Sequence, residues 1–475
     1  MINKKIMKTL YNLAQLTLCL LFPLLVEGQA AFVKIYPTSI PQSTKDILPT
    51  DDGGFFIVGM TMNQIPGDSD IYLVKTDNMG NILWTKTFGG NMPEYPNTIL
   101  KASDGNYFIS GFTRSFGAGM SDIWLLKVDA SGNLLWSKTF GTSADDSGKE
   151  LIATADGNYA MSGHYNNSGL LMKFDLSGNV LWMQQYALGF NASFSSVKEC
   201  QGGGFVMVGK TTASLNAYSD VFFAKADANG NLLWNKIFGE ALDDEGRQVI
   251  ENSDGTLTFI SADSAAVSDW DVHIRKTDAS GNLVWDKIYG GDKKDVARTI
   301  QPTTDGGYIL GITSRSFGWI NPQLWMVKID ADGNIQWSQN YGDYWHNHCY
   351  MVKQYSDGGY LAVGHATDAS YTLTRMMFVK TDASGAVSVH ELAEEKKPFS
   401  IFPNPSKGEF VVAGLHSPAE MKIFNTVGKQ VTPFVLPSLE GGGKYEVDIS
   451  DEPKGIYLIE IGEGSMRKTK KIIIE

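Results

Sequence analysis

The sequence predicts an all-β chain: a seven-bladed β-propeller with repeats of about 52 residues, followed by a small β-sandwich. Three observations predict it. A unit such as KTDASGNLVWDKIYGG (residues 276–291) recurs along the chain, with its tryptophans at Trp84, Trp136, Trp182, Trp234, Trp285 and Trp337, spaced 52, 46, 52, 51 and 52 residues apart. A second marker keeps the same period seven times: DGGF at Asp52, DGNY at Asp104 and Asp156, GGGF at Gly202, DGTL at Asp254, and DGGY at Asp305 and Asp357. Between the markers lie short runs rich in Tyr, Phe, Trp, Val and Thr, with no long 3.6-residue pattern. A period near 50 residues made of short strands is the signature of a propeller, whose radial repetition leaves little exposed sheet edge.

Residues 1–30 read as a signal peptide. Lys4, Lys5 and Lys8 precede an apolar run from Leu16 to Val26, and Gly28 and Ala30 offer small residues for cleavage. The run is short for a bilayer span, and Cys19 lies inside it instead of at its end, which argues against a lipid-anchored cysteine. No other stretch is long and apolar enough to cross a membrane as a helix. Beyond it only Cys200 and Cys349 remain. One disulfide is open, but two buried free thiols fit two widely separated cysteines better. A net charge of −12 disfavours nucleic acid and anionic membrane as partners.

Residues 31–392 hold the seven repeats, and each parses into four strands. In the unit around Trp337 these fall at 296–302, 307–314, 323–329 and 334–340. The first two turn at a D-G step, where glycine supplies positive φ and Asp caps the turn; the last two turn at D-x-x-G-N. The segment AFVKIY (31–36) copies the W-x-K-x-Y part of the fourth strand, with Phe32 lying 52 residues before Trp84. The seventh copy ends in GAVSVHEL and lacks both the Trp and the K-x-Y. The N-terminal strand is therefore expected to complete or cover blade 7; the alternative is a full seventh blade with an independent strand.

The repeated residues read as architecture. The acidic turn offers one fixed Asp (Asp278 in the copy above), too few oxygens for the six to eight that Ca²⁺ takes, so an Asx-capped hairpin is expected. The six tryptophans are expected to seal each blade against the next. This hairpin is similar to the tryptophan-docking hairpins of quinoprotein propellers, though its Asp and Gly stand one residue closer. It departs in both spacings from the sialidase box S-x-D-x-G-x-T-W. Neither likeness implies quinone binding or sialidase activity. A further column precedes each marker by ten residues: Gln42, Glu94, Asp146, Asp244, Asp295 and Asn347, followed three residues later by Lys45, Asn97, Lys149, Arg247, Arg298 and Tyr350. Loop capping with ion pairs between blades is the first reading; a polar rim for a ligand is the second. The fourth repeat breaks the column with GFNASFSSV.

Blade 7 departs most from the consensus, in YGDYWHNHCYMV (341–352). Asp343, Tyr344, Trp345, His346 and His348 form a candidate binding patch at the channel mouth. His346 and His348 share a face at i, i+2, but Zn²⁺ needs further ligands and His365 is the one speculative third, so no metal is expected. No nucleophile elbow, P-loop or dinucleotide fingerprint is present, so no catalytic residue and no cofactor is assigned.

At Glu394 the composition changes. A charged linker, 393–398, leads into residues 399–475, which lack the repeat and read as alternating short strands of a sandwich. Pro403-Asn404-Pro405 opens this segment, Gly428-Lys429 closes an N-x-x-G-K hairpin, Gly455 and Tyr457 lie in a G-x-Y strand, and Lys468–Ile474 form a basic, apolar end. In that order these motifs resemble the C-terminal type A sorting domain of the Bacteroidetes type IX secretion system. The resemblance implies an immunoglobulin-like sandwich that engages the secretion machinery through residues 399–475. It also implies delivery through periplasm and outer membrane to the cell surface or medium, with removal of the domain near 392–398. The propeller units are likewise similar to repeats of exported Bacteroidetes proteins. The expected function is a non-catalytic binding or scaffold propeller with a glycan or protein ligand at one mouth. The alternatives are a polysaccharide hydrolase or lyase and a purely structural envelope component.

Overall fold

The computed structural model describes residues 31–475 except 63–67, 214–216, 240–241, 267–268, 318–320, 343–345, 368–372, 388, 393–399, 414–420, 426–428, 435–443 and 462–467. The expected signal peptide, the charged linker, Asp343, Tyr344, Trp345 and Gly428 lie outside the described residues. The chain divides into two compact units, one to Glu391 and one from Leu392.

The first unit is a β-propeller. Six sheets of four antiparallel strands follow one another, spanning 42–88, 94–140, 147–186, 191–238, 244–289 and 295–341. In the sixth the strands run Asp295–Pro302, Tyr308–Ser314, Gln323–Ile329 and Ile335–Tyr341, within a residue or so of the pattern read from the sequence. The seventh sheet has five strands, His346–Gln354, Tyr360–Thr367, Thr374–Thr381, Phe32–Ile35 and Val389–Leu392 in spatial order. The N-terminal strand pairs antiparallel with Thr374–Thr381, Phe32 opposite Lys380 and Ile35 opposite Met377. It takes the fourth-strand position that GAVSVHEL does not fill. Each sheet packs on the next, and the seventh packs back on the first, where Thr44 Oγ1 donates to the Gly364 carbonyl at 2.6 Å.

The seams explain the repeat. In six of the seven turns of this type both carboxylate oxygens are used by the turn itself, and in the seventh, where Ala386 replaces the Asn, Asp382 uses Oδ1 alone. Asp278 Oδ1 accepts the Ser280 and Asn282 amides at 2.9 Å, and its Oδ2 accepts Asn282 Nδ2 at 2.9 Å. The turn glycine has positive φ, +74° at Gly132, and lies under the tryptophan of the preceding blade. A Cβ on Gly132 would stand 2.5 Å from Trp84. Trp136 lies in the same way over Gly178, Trp182 over Gly230, Trp234 over Gly281, Trp285 over Gly333 and Trp337 over Gly385. Phe32 supplies the missing member of the series over Gly80, and Tyr36 donates to the Gly80 carbonyl at 2.7 Å, as Tyr186 does to Gly230 at 2.6 Å.

The lysine that opens the copies has a partner as well in six of the seven blades. Its buried stem carries the ammonium to the Asp of the D-G turn in the same blade: Lys127 to Asp104 at 2.7 Å, Lys173 to Asp156 at 2.7 Å, Lys328 to Asp305 at 2.9 Å and Lys380 to Asp357 at 3.1 Å. Blade 4 keeps Lys225 but has Gly202 in place of the Asp.

The second unit is a sandwich of a three-stranded sheet (Ser400–Phe402, Glu409–Ala413, Lys444–Asp448) and a four-stranded one (Gln430–Phe434, Met421–Asn425, Gly455–Ile461, Lys468–Ile474). Phe410, Val412 and Val447 from one sheet meet Ile423, Tyr457, Ile459 and Ile472 from the other in one core. Asn404 pins the terminal strand, donating to the Lys471 carbonyl at 2.9 Å and accepting the Ile473 amide at 3.0 Å. Pro403 and Pro405 flank it. The Lys429 amide caps on Asn425 Oδ1 at 2.9 Å, and the Tyr457 hydroxyl reaches the Pro453 carbonyl at 2.6 Å.

Candidate functional site

The first strand of every blade lies innermost, and every one of the seven carries a β-bulge at the same level. The register shifts at Lys45 in blade 1, Asn97 in blade 2, Lys149 and Glu150 in blade 3, Ser195 in blade 4, Arg247 in blade 5, Arg298 in blade 6 and Tyr350 in blade 7. A bulge adds a residue that the partner strand does not match and re-aims its side chain. Here all seven line a central cavity of about 560 Å³. Six of them are the column read from the sequence; the seventh, Ser195, also stands seven residues before its marker at Gly202, but went unread because Ala192 replaces the polar residue that heads the column in the other repeats.

The two halves of that column separate. The acidic positions cap loops. Asp146 accepts the Thr142 amide at 2.5 Å and the Asn166 amide at 2.7 Å, Glu94 accepts Thr113 Oγ1 at 2.7 Å, and Asp295 accepts Ser316 Oγ at 2.6 Å. Asp146, Glu94 and Asp295 are fully buried. No ion pair between blades joins Asp146 or Asp295 to the column's cations among the described residues, because the bulges turn Lys149 and Arg298 toward the axis while the carboxylates stay in the loops.

The axis is therefore unusually cationic for a chain of net charge −12. Of the carboxylates lining the cavity, Asp46 is paired with Lys353 at 2.6 Å and Glu150 with Lys198 at 2.8 Å. Burial alone would raise the Glu150 carboxyl, yet Lys198 and hydrogen bonds from Ser196 and Val197 hold it below its ordinary value. Arg247 shares Glu245 with Lys210, and its Nε has no hydrogen-bond partner among the described residues. Lys45, Lys149 and Arg298 pair with no carboxylate among the described residues. Lys45 lies 4.1 Å from the Tyr350 ring centre, and Arg298 shares that ring at 5.6 Å. Burial, then Arg298, Lys149 and Arg247, push the Lys45 ammonium down from 10.5 to about 8. Lys149 is lowered by burial and by Arg247 and Lys210, and Arg298 by burial and Arg247.

Two smaller cavities adjoin the same cations. One of about 340 Å³ is bordered by Arg247, Arg298, Arg315, Lys294, Trp270 and His348; another of about 330 Å³ is bordered by Lys149, Lys210 and His164. The blade 7 patch is thus only partly brought to this site. His348 faces the 340 Å³ cavity, whereas His346 is buried. His348 stacks on His365 across the strands, ring centres 4.6 Å apart. Burial and the nearby Arg298 hold His348 neutral at about 4; burial, His348 and Lys45 hold His365 at about 3. No group of three or more His, Cys, Asp or Glu side chains able to hold a metal ion occurs among the described residues. Cys200 and Cys349 are both buried and free, in separate blades.

Residues 400–475 match the family model described as secretion system C-terminal sorting domain. That domain marks the chain for export to the cell surface or medium by the type IX system of Bacteroidetes and implies engagement of the secretion machinery. A search of curated proteins finds no match. Among solved structures, a protein from Lactobacillus plantarum is similar at 10% identity over 70% of this chain and 94% of that one, with a TM-score of 0.45. Puromycin hydrolase is similar at 12% identity over 79% of this chain, which spans 59% of the hydrolase, with a TM-score of 0.46. Drosophila Plexin A in complex with Semaphorin 1b gives 8% identity, coverage of 74% and 86%, and a TM-score of 0.38. No helix among the described residues is long and apolar enough to cross a membrane.

Proposed function

We propose that this exported chain is a non-catalytic binding propeller that seats its ligand in the central channel, and that residues 399–475 serve only its delivery. The observation that supports this is the set of seven aligned bulges, each turning one side chain to the axis around one cavity. A purely structural ring would favour one side-chain type repeated around the axis; the column instead reads Lys, Asn, Lys, Ser, Arg, Arg, Tyr. A glycoside hydrolase would need two carboxylates free for acid and base work. Here Asp46, Glu150 and Glu245 are each engaged by a cation.

The test is a glycan-array and small-ligand binding screen on the purified full chain, beside a Ser195→Trp variant that fills the channel. Binding abolished by Ser195→Trp, with the unfolding temperature unchanged, supports the channel as the ligand seat. Binding indifferent to that substitution refutes it.

A further inference from the structure

We infer that the ligand of this channel is a small, multiply charged oxyanion, bearing phosphate, sulfate or carboxylate groups, gripped by Lys45, Lys149, Arg247 and Arg298. This rests on the reading of the channel as the ligand seat and names the chemistry that the seat selects.

The first support is geometric. Four of the seven bulged positions are cations, and blades 5, 6 and 1 place three of them nearly in succession around the ring, interrupted only by Tyr350. Arginine offers a planar fork matched to oxyanions, and lysine a compact point charge, so the pair of each type suits a ligand with several charged oxygens. The cavity of about 560 Å³ accommodates a small ligand, within the range of about 300–1,000 Å³ usual for such sites.

The second support is the missing counter-charge. The four cations are half-buried, and charges drawn even partly out of water are ordinarily paired, because an unpaired one loses hydration without recompense. The repeated lysine obeys this in six of the seven blades, as Lys127 and Lys328 do with Asp104 and Asp305. The acidic residues around the channel are likewise already engaged. Lys149 has neither a carboxylate nor a hydrogen-bond acceptor for its ammonium among the described residues, and Arg247 Nε is buried with no partner. These cations depress one another's proton affinity. An oxyanion in the channel would relieve that repulsion and satisfy the open donors together. The neutral His348 and His365 beside them add ring surface but no competing charge.

The third support is exclusion. A chain of net charge −12 repels long polyanions from its outer surface. A small anion that enters the channel meets the opposite local field.

The experiment is isothermal titration of the full chain with pyrophosphate, sulfate and citrate, each at constant ionic strength in chloride. It is run on wild type, Lys149→Met, Arg298→Ala, Arg298→Lys and a surface control, Lys101→Met, with thermal unfolding to confirm that every variant folds. The expected result is one site per chain, at least a tenfold loss in Lys149→Met and Arg298→Ala, a smaller loss in Arg298→Lys and none in Lys101→Met. The rank order of the three probes distinguishes phosphate, sulfate and carboxylate as the group recognised. Anion binding unchanged in all variants overturns the assignment to these residues. No anion binding, while a neutral glycan binds and is lost on Ser195→Trp, overturns the oxyanion and leaves the channel reading standing. Binding of neither overturns both.

Discussion

Replacing Lys45 with methionine should make the protein more stable at pH 7, against the ordinary expectation for a residue that lines a channel. The Lys45 ammonium is lowered from 10.5 to about 8 by burial and by Arg298, Lys149 and Arg247. At about 1.36 kcal/mol per unit, that difference is worth about 3 kcal/mol against the charged folded form. Methionine keeps the apolar stem but gives up the cation's approach to the Tyr350 ring at 4.1 Å, a loss of about 0.5–1 kcal/mol. The net expectation is a gain of about 2 kcal/mol, or a few degrees in unfolding temperature. The sign of the pH dependence follows from linkage. A lysine whose folded value lies below its unfolded one binds fewer protons folded than unfolded between the two, so wild-type stability rises with pH from about 8 to 10.5. The advantage of the variant should therefore be full at pH 7, shrink across that window and nearly vanish above it. The assay is thermal or urea unfolding of wild type and Lys45→Met from pH 7 to 10.5, in buffers free of phosphate, sulfate and citrate. A variant less stable than wild type at pH 7, or a difference that does not move with pH, would refute the view that these cations repel one another in the folded protein.

Three further outcomes follow from the geometry. Gly132→Ala should cost about 2–3 kcal/mol, since φ is +74° and its methyl would stand 2.5 Å from Trp84, whereas Gly157→Ala, with φ +83° and open space around it, should cost only about 1 kcal/mol; denaturant unfolding of both variants separates seam packing from backbone strain. Arg275→Met should destabilise by about 3 kcal/mol, measured in the same way, because it removes the cation that holds Asp263 at 2.5 Å and leaves Asp286, now held at 2.9 Å, with His273 alone. Deleting residues 400–475 should leave the propeller inside the cell envelope, read by immunoblot of periplasm, surface and medium; undiminished arrival in the medium would contradict the role of the sorting domain.

Much of the fold was legible because a repeat states its own period. The spacing of Trp84 to Trp337, the D-G markers and the copy of the fourth strand in AFVKIY fix the number of units and the place of Phe32, since each feature meets the same neighbour in every blade. The tail was legible from Pro403-Asn404-Pro405 and the terminal strand, which Asn404 ties together. One signal was present and unread. In six of the seven copies the opening lysine occurs with the Asp of the D-G turn, and their pairing within the blade is a contact that alignment of the copies alone could suggest.

The site was legible only as a column of residue types. The sequence by itself determined the repeat, the hairpin chemistry and a polar position in six of the blades whose residue type changes from copy to copy. Only the tertiary structure decided what that variation means. Ring closure brings Lys45 of blade 1 beside Arg298 of blade 6, which is some 250 residues away in sequence, and the bulge swings Arg298 away from Asp295 three positions earlier. The alternation of acid and base in the column suggests ion pairs between blades; the register of seven strands around one axis makes a cationic cavity instead. Charge spacing along a strand is a local property, whereas the field in a channel is the sum over every strand that faces it.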